Sequence, residues 1–151
     1  MIKKIVLVKF LLLTTCAFSV FGQEKTVVND AKARAALLGR HKLSLQWISW
    51  DYFGAASVVN RNGVLHLKGE QKSRENSDFV KMDGVIVSID EKEFVFDGTI
   101  VTQISHIAGG EPCERTGEMI FRITGKRKYW RLQEMTNPCD GVTDYVDIYF
   151  K

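Results

Sequence analysis

Hydrophobic and polar residues alternate with a period of two over most of this chain, and the cleanest run lies in its last third. In Glu118 to Thr124, Met119, Phe121 and Ile123 share one side, while Glu118, Ile120, Arg122 and Thr124 share the other. Such alternation marks a strand with one buried face. The same period predicts strands over about 93–105, 117–125, 128–136 and 144–150. Upstream, Leu43, Leu45 and Trp47 alternate with Lys42, Ser44 and Gln46, so a first strand runs from His41 to about Trp50. Asp51-Tyr52-Phe53 then turns the chain into Gly54–Val59. Val64–Gln71 follows through Asn60-Arg61-Asn62-Gly63, where Asn-Gly between apolar runs signals a tight hairpin. Phe79–Asp90 is the fourth strand. Its apolar phase slips from Val80 and Met82 to Val85, Val87 and Ile89, which predicts a β-bulge at Asp83-Gly84. Before the strands, Asn29 or Asp30 can cap a short helix over 31–38 anchored by Leu37 and Leu38 and ended by Gly39.

Eight strands result, and their connections alternate in length. Turns near 60–63, 90–93 and 125–128 are tight; those near 51–53, 72–77, 106–116 and 136–143 are mostly longer. In an up-and-down arrangement all tight turns fall at one end and all longer loops at the other, the shape of a small barrel with a closed base and a looped mouth. Closure also removes the free edges that apolar strands would otherwise expose. The fold class read from the pattern is therefore all-β, an eight-stranded antiparallel up-and-down barrel with a short N-terminal helix. In this meander the loops His106–Thr116 and Thr136–Thr143 lie side by side. Each carries one cysteine, which predicts a Cys113–Cys139 disulfide. With 25 residues between them, the chain-entropy model assigns the bridge about 3.5 kcal/mol.

The N-terminus changes the arithmetic of charge and cysteine. Lys3, Lys4 and Lys9 precede an apolar run from Phe10 to Phe21, with Val20 and Gly22 ahead of Gln23; this reads as a secretory signal peptide over 1–22. The run is short of the roughly 20 apolar residues that span a bilayer, so no transmembrane span is expected. Leu13-Thr14-Thr15-Cys16 loosely resembles a bacterial lipoprotein signal, which leaves lipid attachment at Cys16 as a lesser alternative. The chain has 21 basic and 18 acidic residues. The first 22 residues hold three lysines and no acid, so cleavage leaves eighteen of each sign. A neutral domain lacks the electrostatic footprint of a nucleic-acid binder. Two cysteines then remain, and in an oxidising compartment an even pair fits one disulfide better than a metal site. The expected organisation is a signal peptide over 1–22, a helical segment over 23–40 and one barrel domain over 41–151, exported as a monomer to the periplasm or beyond.

Leu38-Gly39-Arg40-His41-Lys42-Leu43, preceded by a short helix and followed by eight strands, resembles the opening of the lipocalin and wider calycin barrels over about residues 30–150. Thr143-Asp144-Tyr145 resembles a further lipocalin signature, and Arg131 beside Trp130 is similar to the basic residue that packs over a tryptophan at the barrel base. The resemblance implies a ligand held inside the barrel.

Candidate chemistry is sparse. His41 falls at the base, His66 points outward and His106 opens a mouth loop, so the three histidines do not converge on a metal. Glu111, Glu114, Asp140 and Asp144, with Asn137 nearby, gather around the expected disulfide and read first as a solvated rim, second as calcium ligands or an acid/base pair. No nucleophile and base stand at a recognisable spacing, and no catalytic residue or cofactor is assigned. Lys126-Arg127-Lys128, joined at the base by Arg40, Lys42 and Arg61, reads as a solvated hairpin tip that shares its end with Glu91 and Glu93. The inward phase carries Leu43, Leu45, Trp47, Leu65, Leu67, Phe94, Phe96, Ile100, Met119, Phe121, Trp130, Leu132, Val146, Ile148 and Phe150, while Ala56, Gly69 and Gly98 on the same phase leave room toward the middle and mouth. The leading expectation is a small hydrophobic or amphipathic ligand buried against Trp47, Leu67, Phe96, Phe121 and Trp130. The alternative is a solid barrel whose disulfide-pinned loops 106–116 and 137–143 contact a protein of the cell envelope. An enzyme using the mouth carboxylates is the third reading.

Overall fold

A computed structural model describes residues 22–151 of the 151-residue chain. The expected signal peptide, apart from its last residue, and the lipid-attachment candidate Cys16 lie outside the described residues. A two-residue strand β1 (Val27–Val28) and helix α1 (Ala31–Leu37) precede eight longer strands: β2 (Gly39–Leu45), β3 (Gly54–Arg61), β4 (Val64–Lys72), β5 (Phe79–Ile89), β6 (Glu93–Gln103), β7 (Cys113–Arg122), β8 (Tyr129–Leu132) and β9 (Val146–Tyr149). From β2 to β9 each strand pairs antiparallel with its successor, and β9 returns to β2, so the sheet closes. The chain is an eight-stranded antiparallel barrel; β1 adds in parallel to the lower end of β5.

Local chemistry sets the turns. Asn62 and Gly63 take φ of 53° and 89°, the conformation a two-residue hairpin needs, and Gly63 N–H donates to Asn60 Oδ1. Asp30 accepts from Ala33 N–H and caps α1, whose Leu37 is buried against the barrel's lower end. Gly39, at φ 105°, ends the helical run and opens β2, so the barrel begins two residues before the expected boundary at 41.

Several boundaries move. The first strand stops at Leu45, not near Trp50, because Ile48 N–H turns back to the Leu45 carbonyl. The strand expected at 117–125 starts at Cys113, which shortens the loop before it. The strand expected over 128–136 ends at Leu132, beyond which the chain folds onto itself through the Thr136–Thr143 bridge. The bulge in β5 is real, but its extra residue is Val87: Ile86 faces Phe96 and Ser88 faces Val95. Val80, Met82, Gly84 and Ile86 keep one inward phase across Asp83-Gly84. Val85 is apolar yet faces outward, and with Val87 it is half-covered by the N-terminal segment that lies over β5. That extra layer defeats a simple two-phase reading.

The ladders are uneven. β5 and β6 pair over ten positions, β6 and β7 over ten, but β7 and β8 over only two. Below the Phe121–Leu132 and Arg122–Arg131 pairs this seam ends; above them it is carried by Gln133 N–H donating to Ile120 C=O and by Glu134 Oε2 accepting from Ile120 N–H. The Cys113–Cys139 disulfide ties the two walls again at the mouth.

Candidate functional site

The candidate ligand-contact residues fall in two places. Leu67, Phe96 and Phe121 are 0% exposed and Trp130 is 3% exposed, all within one apolar cluster. Phe96 and Phe121 meet edge to face at 6.2 Å, Phe94 stacks on Phe121 at 5.1 Å, and Trp130 lies between His41, Phe94 and Phe150. Trp47 sits apart, half-buried at the mouth, edge-on to His106 at 5.8 Å.

The room expected at Ala56, Gly69 and Gly98 is taken. Where Gly69 would carry a Cβ, Leu43 Cδ2 lies 3.0 Å away, Ala56 Cβ 3.1 Å and Met82 Cγ 3.2 Å. Gly84 and Gly98 face each other across β5 and β6, and the Phe96 ring lies within 2.7 Å of either missing Cβ. Glycine here admits a large neighbour rather than a ligand. Arg131 also departs from the expectation of packing over Trp130: it points to the outer wall, where Nε and Nη2 each meet Asp147 at 2.7 Å and the guanidinium stacks on Tyr145. That bidentate pair raises the Arg131 pKa, against the lowering effect of its burial.

Charge at the mouth is organised around Asp144, 1% exposed. Its Oδ1 accepts from Trp47 Nε1 at 2.9 Å; its Oδ2 accepts from Arg115 Nη2 at 2.7 Å and from Asn137 Nδ2 at 3.0 Å. Arg115 is 7% exposed and stands on the inward phase of β7 with Cys113, Met119 and Phe121. Among the described residues its Nε and Nη1 have no hydrogen-bond partner. Of the four mouth acids, then, Asp144 is buried in an ion pair, whereas Glu111, Glu114 and Asp140 are exposed. Asp140 braces loops: Oδ2 accepts from Ala108 N–H and Oδ1 from Val142 N–H.

The result is a cross-linked rim of three mouth segments. Loop 46–53 is fastened to 133–145 by Trp47 and by Gln46, which donates from Nε2 to Thr143 C=O and accepts at Oε1 from Tyr145 N–H. Loop 104–112 is fastened to 133–145 through Asp140, and the start of β7, where that loop ends, through the disulfide. Trp50 projects from this rim, 54% exposed. Arg115 falls inside the loop expected over 106–116; its period-two register with Cys113, Met119 and Phe121 is the signal that finds it. Of the histidines, His41 sits between the carbonyl oxygens of Leu37 and Tyr149 at the base, His66 lies on β4, and His106 is at the mouth. Among the described residues no three His, Cys, Asp or Glu side chains are grouped to hold a metal, and no helix is long and apolar enough to cross a membrane.

Fold and rim together define a closed antiparallel barrel with a stapled mouth. A family model described as the PM1083 family matches residues 25–150, and the chain belongs to that family. A protein of Pasteurella multocida (strain Pm70) described as "Uncharacterized protein PM1083" is 47% identical over 142 residues, covering 93% of this chain and 92% of the relative. No solved structure matches the chain.

Proposed function

We propose that this protein is an exported binding module with a lipocalin-like barrel, and that it recognises a protein of the cell envelope through its mouth rather than a small hydrophobic molecule in its lumen. The observation that carries this reading is the filled interior. Leu67, Phe96 and Phe121 are buried against one another, and the three glycine positions are covered by Leu43, Met82 and Phe96. An interior packed to crystal-like density holds no ligand without displacing side chains. The rim supports the same reading, since loops held by a disulfide and a buried ion pair lose little entropy on binding. Trp50 supplies an exposed aromatic of the kind that anchors interfaces. The disulfide is compatible with an oxidising compartment.

Native mass spectrometry of protein purified without organic solvent tests the choice. The bare oxidised chain is the expected species; a stoichiometric lipid adduct would restore the lumen as the binding site. In parallel, a photo-crosslinker placed at position 50 captures a partner from envelope extract, whereas one at Lys92, on the opposite end of the barrel, does not. Equal capture from both positions would refute recognition at the mouth.

A further inference from the structure

A concavity on the outer wall reaches from Phe53, at the end of loop 46–53, to Lys128 at the base. It encloses about 760 Å³ against the strands β2, β3 and β9, a size typical of small-ligand sites. Its rim carries four cations, Arg40, Lys42, Lys128 and Lys151, and no acidic residue lines it. Among the described residues none of the four forms an ion pair, and residues 1–21 contain no Asp or Glu. The glutamates expected to neutralise this end do not reach it: Glu93 Oε2 accepts from Arg122 Nε at 2.6 Å, and Glu91 does not line the pocket. The floor is flat because Gly54 and Ala55 have almost no side chain, and it is walled by Phe53 and Tyr149, whose rings meet edge to face at 5.1 Å.

We infer that this outer pocket binds an acidic saccharide, a short sugar chain carrying carboxylate or phosphate groups. Four unpaired cations around an apolar floor are complementary to a ligand with anionic groups at its periphery and C–H faces at its centre. The open pocket leaves hydroxyls in water, which suits a polyhydroxylated body better than an apolar one. Two other anionic partners fit less well. A membrane surface calls for protruding apolar side chains beside the cations, and none of Val27, Val28, Trp50 and Val59, the exposed large apolar residues, lines the pocket. Single-stranded nucleic acid calls for free ring faces, yet Lys42 covers a face of Phe53 and Tyr129 packs against Tyr149. The inference does not depend on the mouth reading: the pocket takes only Phe53 from loop 46–53 and none of the rim groups Trp47, Trp50, Arg115 and Asp144.

Titration of the isotope-labelled protein with trigalacturonate, in about 20 mM salt and then at physiological ionic strength, tests it by NMR. Amides of β2, β3 and β9 around the pocket are expected to shift with saturation, and affinity to fall several-fold at the higher salt. Maltotriose, neutral and of equal length, is expected to bind at least tenfold more weakly. Lys42→Glu with Lys128→Glu lowers trigalacturonate affinity by tenfold or more, while Lys92→Glu, a charge change elsewhere, leaves it unaltered. If the double variant does not fold, Arg40→Gln with Lys151→Gln gives the same reading through loss of affinity. Equal binding of maltotriose, equal loss in Lys92→Glu, binding of inorganic phosphate as tight as that of trigalacturonate, or tighter binding of phosphatidylglycerol vesicles or an oligothymidylate would each overturn the assignment.

Discussion

Asp144 and Arg115 allow a quantitative test of how the mouth is held. Replacing Asp144 by Ala removes the acceptor for three donors and leaves the Arg115 guanidinium, 7% exposed, without its counter-charge. Removing one member of a buried ion pair costs about 3–5 kcal/mol, and the orphaned Trp47 and Asn137 donors put the value at the upper end. Arg115→Met leaves Asp144 with its other two donors, so it costs less, about 2–3 kcal/mol by the cost of an unpaired buried charge that keeps two hydrogen bonds. The double variant removes both charges at once, and its cost falls below the sum of the singles by about 1–3 kcal/mol, the coupling of residues in contact. Urea unfolding of the four proteins, with slopes compared to confirm a common denatured state, closes the cycle. Additive single and double changes, or an Asp144→Ala cost under about 1 kcal/mol, characteristic of exposed pairs, would refute the claim that one buried pair organises the rim.

Three further outcomes follow from the structure. Cys113→Ser with Cys139→Ser should lower unfolding free energy by about 3.5 kcal/mol for a loop of this length, read as a shifted urea midpoint in non-reducing buffer; an unchanged midpoint contradicts it. Gly98→Ala places a Cβ against the Asp83 carbonyl oxygen and 2.6 Å from both Gly84 Cα and the Phe96 ring, and overpacking of that kind costs about 1–3 kcal/mol, measurable by thermal unfolding; a neutral result would contradict the close approach of the β5 and β6 backbones there. Burial raises the Tyr149 pKa above its ordinary value, only partly opposed by the hydrogen bond with Ser44. The unfolded chain therefore ionises this tyrosine first, so stability is intact below pH about 10 and declines as pH rises through the folded value. Tyr149→Phe should flatten that alkaline decline, and an identical slope in both proteins would contradict the assignment.

Much of the barrel is readable because strand alternation, the tight Asn62-Gly63 turn and paired loop lengths all point the same way. The disulfide followed from topology alone, since a meander returns its longer loops to one end. The misreadings have physical causes. Val85 and Val87 looked inward because they are apolar, but the N-terminal segment covers them from outside, a contact across sixty residues that no local pattern records. Arg115 looked like a loop residue because a charge on an inward phase is rare without a partner, and its partner Asp144 lies 29 positions away. Gly69 and Gly98 looked like space, yet neighbouring side chains claim the volume a glycine vacates. The gathering of Phe53, Tyr129, Tyr145 and Tyr149 on the outer wall is not legible in the sequence, because periodicity speaks to faces and not to what meets on the solvent side.

The seam between β7 and β8, with two paired positions, carries a consequence of its own. A ring of strands ceases to be a ring at whichever junction parts first, and here the thinnest junction is the one the sulfur bridge spans. With that bridge reduced, this seam is where the wall opens most readily, baring two borders that can pair with another chain. The cysteines thus guard against clumping as much as against unfolding.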